Sequence, residues 1–281
     1  MTTSYDEATQ IAREYYNSTD ADRFYEKVWG GEDIHIGIYR GFEEPIRDAS
    51  ERTVEHMITR LVSIHKDASV LDIGSGYGGA ARKLAERFGC DVACINLSEA
   101  ENERNRELCR QAGLDEQITV IDGSFEHLDV PDASVDVVWC QDAILHSGDR
   151  EQVLREVDRV LKPGGRFVFT DPMQSDACPH GVLDTILQRI HLPDLGSPSF
   201  YKAQAQRLGW ENLGYEDMSQ QLVNHYERVR QITIEKHGDL AEQISEDYLQ
   251  RMKEGLTRWV EGGKSGWLAW GVFLFQKPVD A

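Results

Sequence analysis

The sequence is short of basic residues. Lysine and arginine number 30 against 49 aspartates and glutamates, a formal charge of -19. Nucleic-acid binding needs a basic face, and docking on anionic lipid needs positive charge, so both classes are disfavoured. No run of about 18 apolar residues is present, so no membrane span is expected. The N-terminal stretch is polar and acidic and lacks the apolar core of a signal peptide. Five cysteines, Cys90, Cys94, Cys109, Cys140 and Cys178, show no CxxC spacing and no paired-histidine pattern. No metal site is therefore expected. An odd count in apolar surroundings reads as reduced, buried thiols in a cytoplasmic protein. There is no internal repeat.

What is present is a chain of 281 residues, 40% hydrophobic. That suffices for one large α/β domain with a cap, or for two small domains. The acidity has two readings: plain solubility, or a protein from a salty cytoplasm, where acidic surfaces are common.

The chain is organised around Val70-Leu71-Asp72-Ile73-Gly74-Ser75-Gly76-Tyr77-Gly78-Gly79. Residues 70–73 read as a buried strand, and 80–90 as a helix with Ala81, Leu84, Ala85 and Phe88 on one face. A glycine turn between strand and helix permits positive φ and close approach of a ligand to the helix N-terminus. The spacing Gly74-x-Gly76-x-x-Gly79 also fits a dinucleotide site or a purely structural turn. Asp72, just before the turn, argues otherwise. A carboxylate there needs a cation or a donor, which an amino-acid-type ammonium supplies and a pyrophosphate does not.

The stretch resembles the first motif of class I S-adenosylmethionine-dependent methyltransferases. The resemblance implies a Rossmann-like α/β fold: a seven-stranded, mostly parallel sheet with a helical N-terminal lid and a helical cap. It implies S-adenosylmethionine as cofactor, with Asp72, Gly74 and Gly76 beneath the methionine part. The acid usual at the end of the second strand is Asn96 here, next to Leu97. Glu101 has two readings: partner of Ser98 in a capping box, or ribose ligand together with Asn96. Ser124 and Phe125 stand where the family recognises adenine. Phe125 as plain core is an equal alternative. Gln141 completes the implied cofactor set.

Taken in order, residues 1–65 read as a helical lid layer, 66–175 as the cofactor core, and 176–281 as a substrate cap with the last two strands. Helices are expected at 4–16, at 21–29 with Asp20 as N-cap, and at 46–62. The aromatic, glycine-rich run from Phe24 to Tyr39 reads as lid or as packed layer. Strands are expected at 92–97, 118–121, 134–139 and 166–170, with a helix over 149–161 and a stop at 162–165. Further on come helices at 183–190 and 199–208, a strand at 211–218, and long helices at 221–237 and 239–260. A glycine turn at 261–266 and a strand at 268–275 close the chain.

Ligands of open α/β sheets sit at the strand C-termini. That rule puts Asp142 and His146, after the fourth strand, at the junction of cofactor and substrate. A structural role for His146 remains an alternative. The phrases Trp29-Gly30-Gly31-Glu32-Asp33-Ile34-His35-Ile36-Gly37, Gln141-Asp142-Ala143-Ile144-Leu145-His146-Ser147, Thr170-Asp171-Pro172-Met173 and Trp259-Val260-Glu261-Gly262-Gly263 resemble sarcosine/dimethylglycine N-methyltransferases. That resemblance implies methylation of a small amine to glycine betaine, a compatible solute, and the acidity agrees with such a role. Rings near the site would attract a quaternary ammonium product by cation–π contact. Tyr25, Trp29, Tyr201, Tyr226 and Trp270 are the candidates, each also readable as core. Arg189 is the candidate fork for the substrate carboxylate. His146, at its reference pKa near ~6.5, is expected to take up the released proton.

Other readings stay open. Methyltransferases of phosphoethanolamine or tocopherol type share the core with different substrate-facing phrases. A nicotinamide-dependent oxidoreductase would use the same glycine turn but is disfavoured by Asp72. A catalytically silent cofactor-binding module would turn over no amine.

Overall fold

A computed structural model describes residues 7–279 apart from 30, 62–63, 190–191 and 193; at 7–9, 12 and 189 it describes the backbone alone. The chain opens with α1 (Glu7–Tyr16), α2 (Thr19–Trp29) and α3 (Ile46–Arg60). The cap of α2 is Ser18, whose hydroxyl accepts the Ala21 N–H at 3.3 Å. Asp20, the expected cap, is used across the fold instead, accepting from the backbone and hydroxyl of Ser245.

Alternating units follow: β1 (Ser69–Ile73), α4 (Gly79–Phe88), β2 (Asp91–Asn96), α5 (Glu99–Ala112), β3 (Ile118–Asp122) and β4 (Val135–Gln141). After a 3-10 turn at 144–146 comes α6 (Arg150–Val160), capped by Asp149. Strand β5 (Leu161–Thr170) begins at once, where a helix stop was expected. Leu161 already pairs with Val135, ahead of a bulge at Val135/Val137, so the stop is the strand's first turn of chain.

The second half contains β6 (Met173–Gln174), α7 (Asp184–Arg189), α8 (Pro198–Arg207), β7 (Glu211–Asp217) and α9 (Ser219–Glu235). Then come α10 (His237–Ala241), α11 (Glu246–Lys264), β8 (Leu268–Ala269) and β9 (Gly271–Gln276). The single helix expected over 239–260 is thus two helices, because Ser245 caps α11 by accepting from the Tyr248 N–H. The glycine turn expected at 261–266 is mostly helix. A Cβ on Gly263 would stand 2.6 Å from Val223 Cγ2, so the glycine serves close packing of α11 on α9. The last strand divides at Trp270, β8 pairing with β6 and β9 with β5 and β7.

The main sheet has seven strands in the order β3-β2-β1-β4-β5-β9-β7. β1 to β5 pair in parallel, and β9 runs antiparallel to both its neighbours. Successive strand residues point to opposite faces, so a strand covered on both sides is apolar throughout. Leu71, Ile73, Val138, Phe167 and Phe169 accordingly pack in the cluster on one face. Val70, Val137, Trp139 and Val168 pack on the other. Strand order reverses between β1 and β4, and there the C-terminal ends open a crevice.

Helices α1 and α2 roof that crevice. Phe24 and Val28 are buried against Val229 of α9 and Leu249 and Met252 of α11. Polar contacts pin the other end: Asn17 accepts from the Ser98 hydroxyl at 2.9 Å, and Arg13 pairs with Glu99. Tyr77 of the glycine turn donates to Asp22 of α2 at 2.7 Å. No helix among the described residues is long and apolar enough to cross a membrane.

Candidate active site

The turn after β1 keeps its glycines for reasons the coordinates make explicit. Gly74 sits at φ +75°, and a Cβ there would collide with that of Ala143. A side chain on Gly79 would collide with Asp33 Oδ1 and stand 3.0 Å from the Glu32 carbonyl. The glycines therefore admit residues 32–34 of the N-terminal layer as well as a ligand.

A cavity opens beside this turn, lined among others by Asp72, Gly74, Gly76, Asn96, Leu97, Glu101, Phe125 and Gln141. Asp72 is 3% exposed, and no hydrogen bond reaches its carboxyl among the described residues. Burial raises its pKa to about 7, opposed by the His35 charge. Gln141 takes the Trp139 indole N–H on its carbonyl at 2.9 Å, which leaves its buried Nε2 without a partner. Carboxyl and amide together suit an α-amino-acid head, ammonium to Asp72 and carboxylate to Gln141. At the far end Glu101 is buried and raised to about 7, with Asn96 Nδ2 donating at 2.8 Å. The Ser98 hydroxyl accepts the Glu101 N–H, but the Glu101 carboxylate does not return to close a capping box. It stays in the cavity, suited to a pair of hydroxyls. The residues present therefore fit an amino-acid-bearing nucleoside.

Ser124 is not among the lining residues. Its hydroxyl accepts the Glu126 N–H at 3.2 Å, a local turn contact.

A second, larger cavity adjoins the first, the two sharing Tyr16, Ile34, His35, Asp142 and His146. Asp142 is held at φ +51°, a conformation rare for a residue with a side chain. Its Oδ1 accepts the Trp270 indole N–H at 2.7 Å and its Oδ2 the Ile36 N–H at 2.7 Å. Burial raises its pKa, with the His35 charge and these donors acting against it. Both carboxylate oxygens are thus fixed by the fold.

His146 Nε2 lies 2.9 Å from the Tyr16 hydroxyl, the rings edge-on. Burial, helped by the Arg150 charge, lowers the pKa of His146 to about 4. The expected value near ~6.5 belongs to a solvated imidazole; this one is enclosed and neutral at physiological pH. Burial pushes the Tyr16 phenol well above its ordinary range, so the pair is uncharged. His35 behaves oppositely. Burial lowers its pKa, but the Asp33 contact at 3.5 Å and the Asp33 and Asp142 charges outweigh that and raise it.

The second cavity is walled by rings. Tyr25 and Trp29 stand 4.9 Å apart, Tyr16 stacks on Tyr25, and Tyr226 packs on Trp259. Of the expected substrate residues, Tyr25, Trp29 and Tyr226 line it. Trp270 is fully buried behind the wall and acts through its bond to Asp142. Tyr201 is elsewhere: it packs on Phe169 and Phe273 and donates to Asp171 at 2.6 Å, as core of the sheet's other face. The side chain of Arg189 lies outside the described residues.

Tyr16, His225 and Arg251 line the site without having been singled out from the sequence, and His35, read there only within the lid stretch and the phrase from Trp29 to Gly37, joins them. The adjacent pairs Tyr15-Tyr16 and His225-Tyr226 were the available signal, since either neighbour of such a pair can face inward on a helix.

Among known proteins, a family profile described as Methyltransferase domain matches residues 71–169. The chain is 52% identical over 278 residues to the sarcosine/dimethylglycine N-methyltransferase of Halorhodospira halochloris, covering 99% of this chain and 100% of that one. It is also 52% identical to the like-named enzyme of Aphanothece halophytica, over 98% of this chain and 100% of that one. A solved structure described as a sarcosine dimethylglycine methyltransferase from Galdieria sulphuraria superposes with a TM-score of 0.90 at 42% identity, covering 94% of this chain and 99% of that one. The glycine turn, the amino-acid-type cavity and this end-to-end similarity agree: the chain belongs to the sarcosine/dimethylglycine N-methyltransferases, enzymes of the class I S-adenosylmethionine-dependent fold.

Proposed function

We propose that this enzyme methylates the nitrogen of sarcosine and dimethylglycine, yielding glycine betaine, in a cytoplasm of high salt. The observation that carries the reading is the ring-walled cavity opening onto the uncharged Tyr16–His146 pair beside the cofactor cavity. The relatives' names supply the amine. The acidic composition and the free cysteines fit the compartment.

S-adenosylmethionine supplies a sulfonium methyl that needs only an aligned lone pair. Asp72 and Gln141 hold its amino-acid head, Glu101 with Asn96 its ribose hydroxyls, and Phe125 with Leu97 its base. Gly74 and Gly76 leave room for it. Asp142, immobilised by Trp270 and Ile36, orients groups at the junction. Tyr25, Trp29 and Tyr226 enclose the amine, exclude water and favour the quaternary product by cation–π attraction. The enclosure disfavours an ammonium substrate, so the neutral amine is selected. With its lowered pKa His146 is too weak a base for bulk proton uptake, so its contribution is position. Of the described residues, those within 1–65 act as the lid layer and those within 176–281 as the cap helices with the last two strands of the main sheet.

The test is mass spectrometry of products from an amine panel with labelled cofactor. Betaine from dimethylglycine is expected. Methylation of phosphoethanolamine or a tocopherol precursor in its place would overturn the substrate assignment while leaving the fold untouched.

A further inference from the structure

Helix α9 brings His225 to the wall of the ring-lined cavity, its side chain fully buried. On one side of the ring, Nδ1 faces the Gly37 N–H at 3.1 Å and the Tyr39 hydroxyl at 3.0 Å. A backbone N–H can only donate, so Nδ1 must accept. In a neutral imidazole the proton then sits on Nε2. The ring is neutral: burial, with the His35 charge nearby, lowers its pKa to about 3. Nε2 is therefore an N–H donor, fixed in tautomer by Gly37. It is buried and has no partner among the described residues. Buried donors are rarely left unmet, and one carried by a residue that lines the cavity points to an acceptor that arrives with a ligand. The ring stands 5.1 Å from that of Trp29 and 5.6 Å from that of Tyr226, among the side chains that would face the amine.

We propose that the His225 Nε2–H binds the carboxylate of the amino-acid substrate and so holds its nitrogen at the Asp142–His146 junction. This rests on the proposed amine and names its polar anchor. His225 supplies the direction of the contact. Arg251 also lines the cavity and forms no ion pair among the described residues. It is exposed, however, and a hydrated, screened guanidinium attracts an anion without fixing its position. A donor locked by the Gly37 and Tyr39 contacts fixes both distance and direction.

The experiment compares His225→Phe, His225→Gln and Arg251→Gln in the full-length enzyme. In His225→Phe the KM for dimethylglycine should rise about 10–100-fold, the loss of one hydrogen bond to a charged group, with a smaller fall in kcat as the nitrogen loses its fixed position. Cofactor affinity by calorimetry should not move. Nor should inhibition by tetramethylammonium, which carries the cation without the carboxylate. His225→Gln, retaining an acceptor for Gly37 and a donor for the substrate, should restore most of the lost affinity. An unchanged KM in folded His225→Phe overturns the proposal, as does a KM effect confined to Arg251→Gln.

A second measurement needs no variant. The His225 Nε2–H proton resonance of the wild-type enzyme should move downfield as betaine is added, and a resonance indifferent to saturating betaine overturns the assignment. Should the wild type methylate no N-methylated glycine, the proposed substrate falls on that assay alone. The betaine titration still decides the role of His225.

Discussion

Asp72 and Glu101 are nearly buried carboxyls on the cavity wall, and with the proposed cofactor contacts their raised pKa values would make cofactor affinity a function of pH. Asp72, near 7, is largely protonated at pH 6 and largely ionised at pH 8. An incoming ammonium needs the ionised form. Affinity should therefore fall about tenfold from pH 8 to pH 6, with proton release visible as a buffer-dependent calorimetric enthalpy. Asp72→Asn should bind weakly at both values and lose most of this dependence. Stability of the unliganded fold runs the other way: a carboxyl raised in the fold gives its full contribution below its unfolded pKa, and that contribution is lost as pH rises to the folded value near 7. The Tm gain on adding cofactor follows the affinity and should be larger at pH 8 than at pH 6. His146 gives a contrasting expectation. The neutral-amine requirement makes kcat/KM rise between roughly pH 6 and 9, while His146, at about 4, titrates well below that window. His146→Ala should lower the rate about 10–100-fold yet keep the wild-type slope. A flattened profile in the variant would make His146 the titrating base. Asp72 was legible in the sequence because strand and turn place it by local rules. His225 was not, because its partners Gly37 and Tyr39 are some 188 and 186 residues away, and only the fold fixes its tautomer.

Among the elements, strands were read most closely and helix ends least. Continuous apolar runs mark the strands buried on both faces, whereas a cap depends on which side chain is free to serve it. Ser18 and Asp20 are both competent caps, and the contact of Asp20 with Ser245 decides between them. Gly262 and Gly263 look like a turn, yet the approach of α9 makes them helical. Tyr201 was misplaced for a related reason: an aromatic on a helix carries no mark of the sheet face it covers. The element carrying most functional weight is the segment over the glycine turn. Gly79 opens α4 without an unusual φ, so Gly79→Ala favours the helix itself, and any Tm loss in the variant reports the displaced segment above it. Its Cβ would push Glu32 and Asp33 away. We expect the cofactor KM to rise about 10–100-fold. Steady-state kinetics beside thermal unfolding separates this from simple destabilisation; a Tm loss with unchanged KM would contradict the packing account.

At the scale of the whole molecule the dominant quantity is the charge of -19. Several arginines are already paired, among them Arg52 with Glu44 and Arg150 with Asp194, yet carboxylates remain in excess. Their mutual repulsion opposes folding and is screened over about 8–10 Å at physiological salt and about 3 Å at 1 M. Tm should rise as KCl is increased from low to molar concentration, a trend scanning calorimetry reads directly; a steady fall would mean that the surface pairs outweigh the surplus. The strap formed by residues 32–34 has a further implication, one of traffic. Because it lies against Gly76 and Gly79, with Tyr77 tied to Asp22, we expect spent cofactor to leave when the N-terminal layer swings clear. Turnover would then be paced by the friction of that excursion and not by bond-making. In sucrose-thickened buffer kcat should decline in proportion to relative viscosity, while a rate indifferent to viscosity would return the bottleneck to methyl transfer.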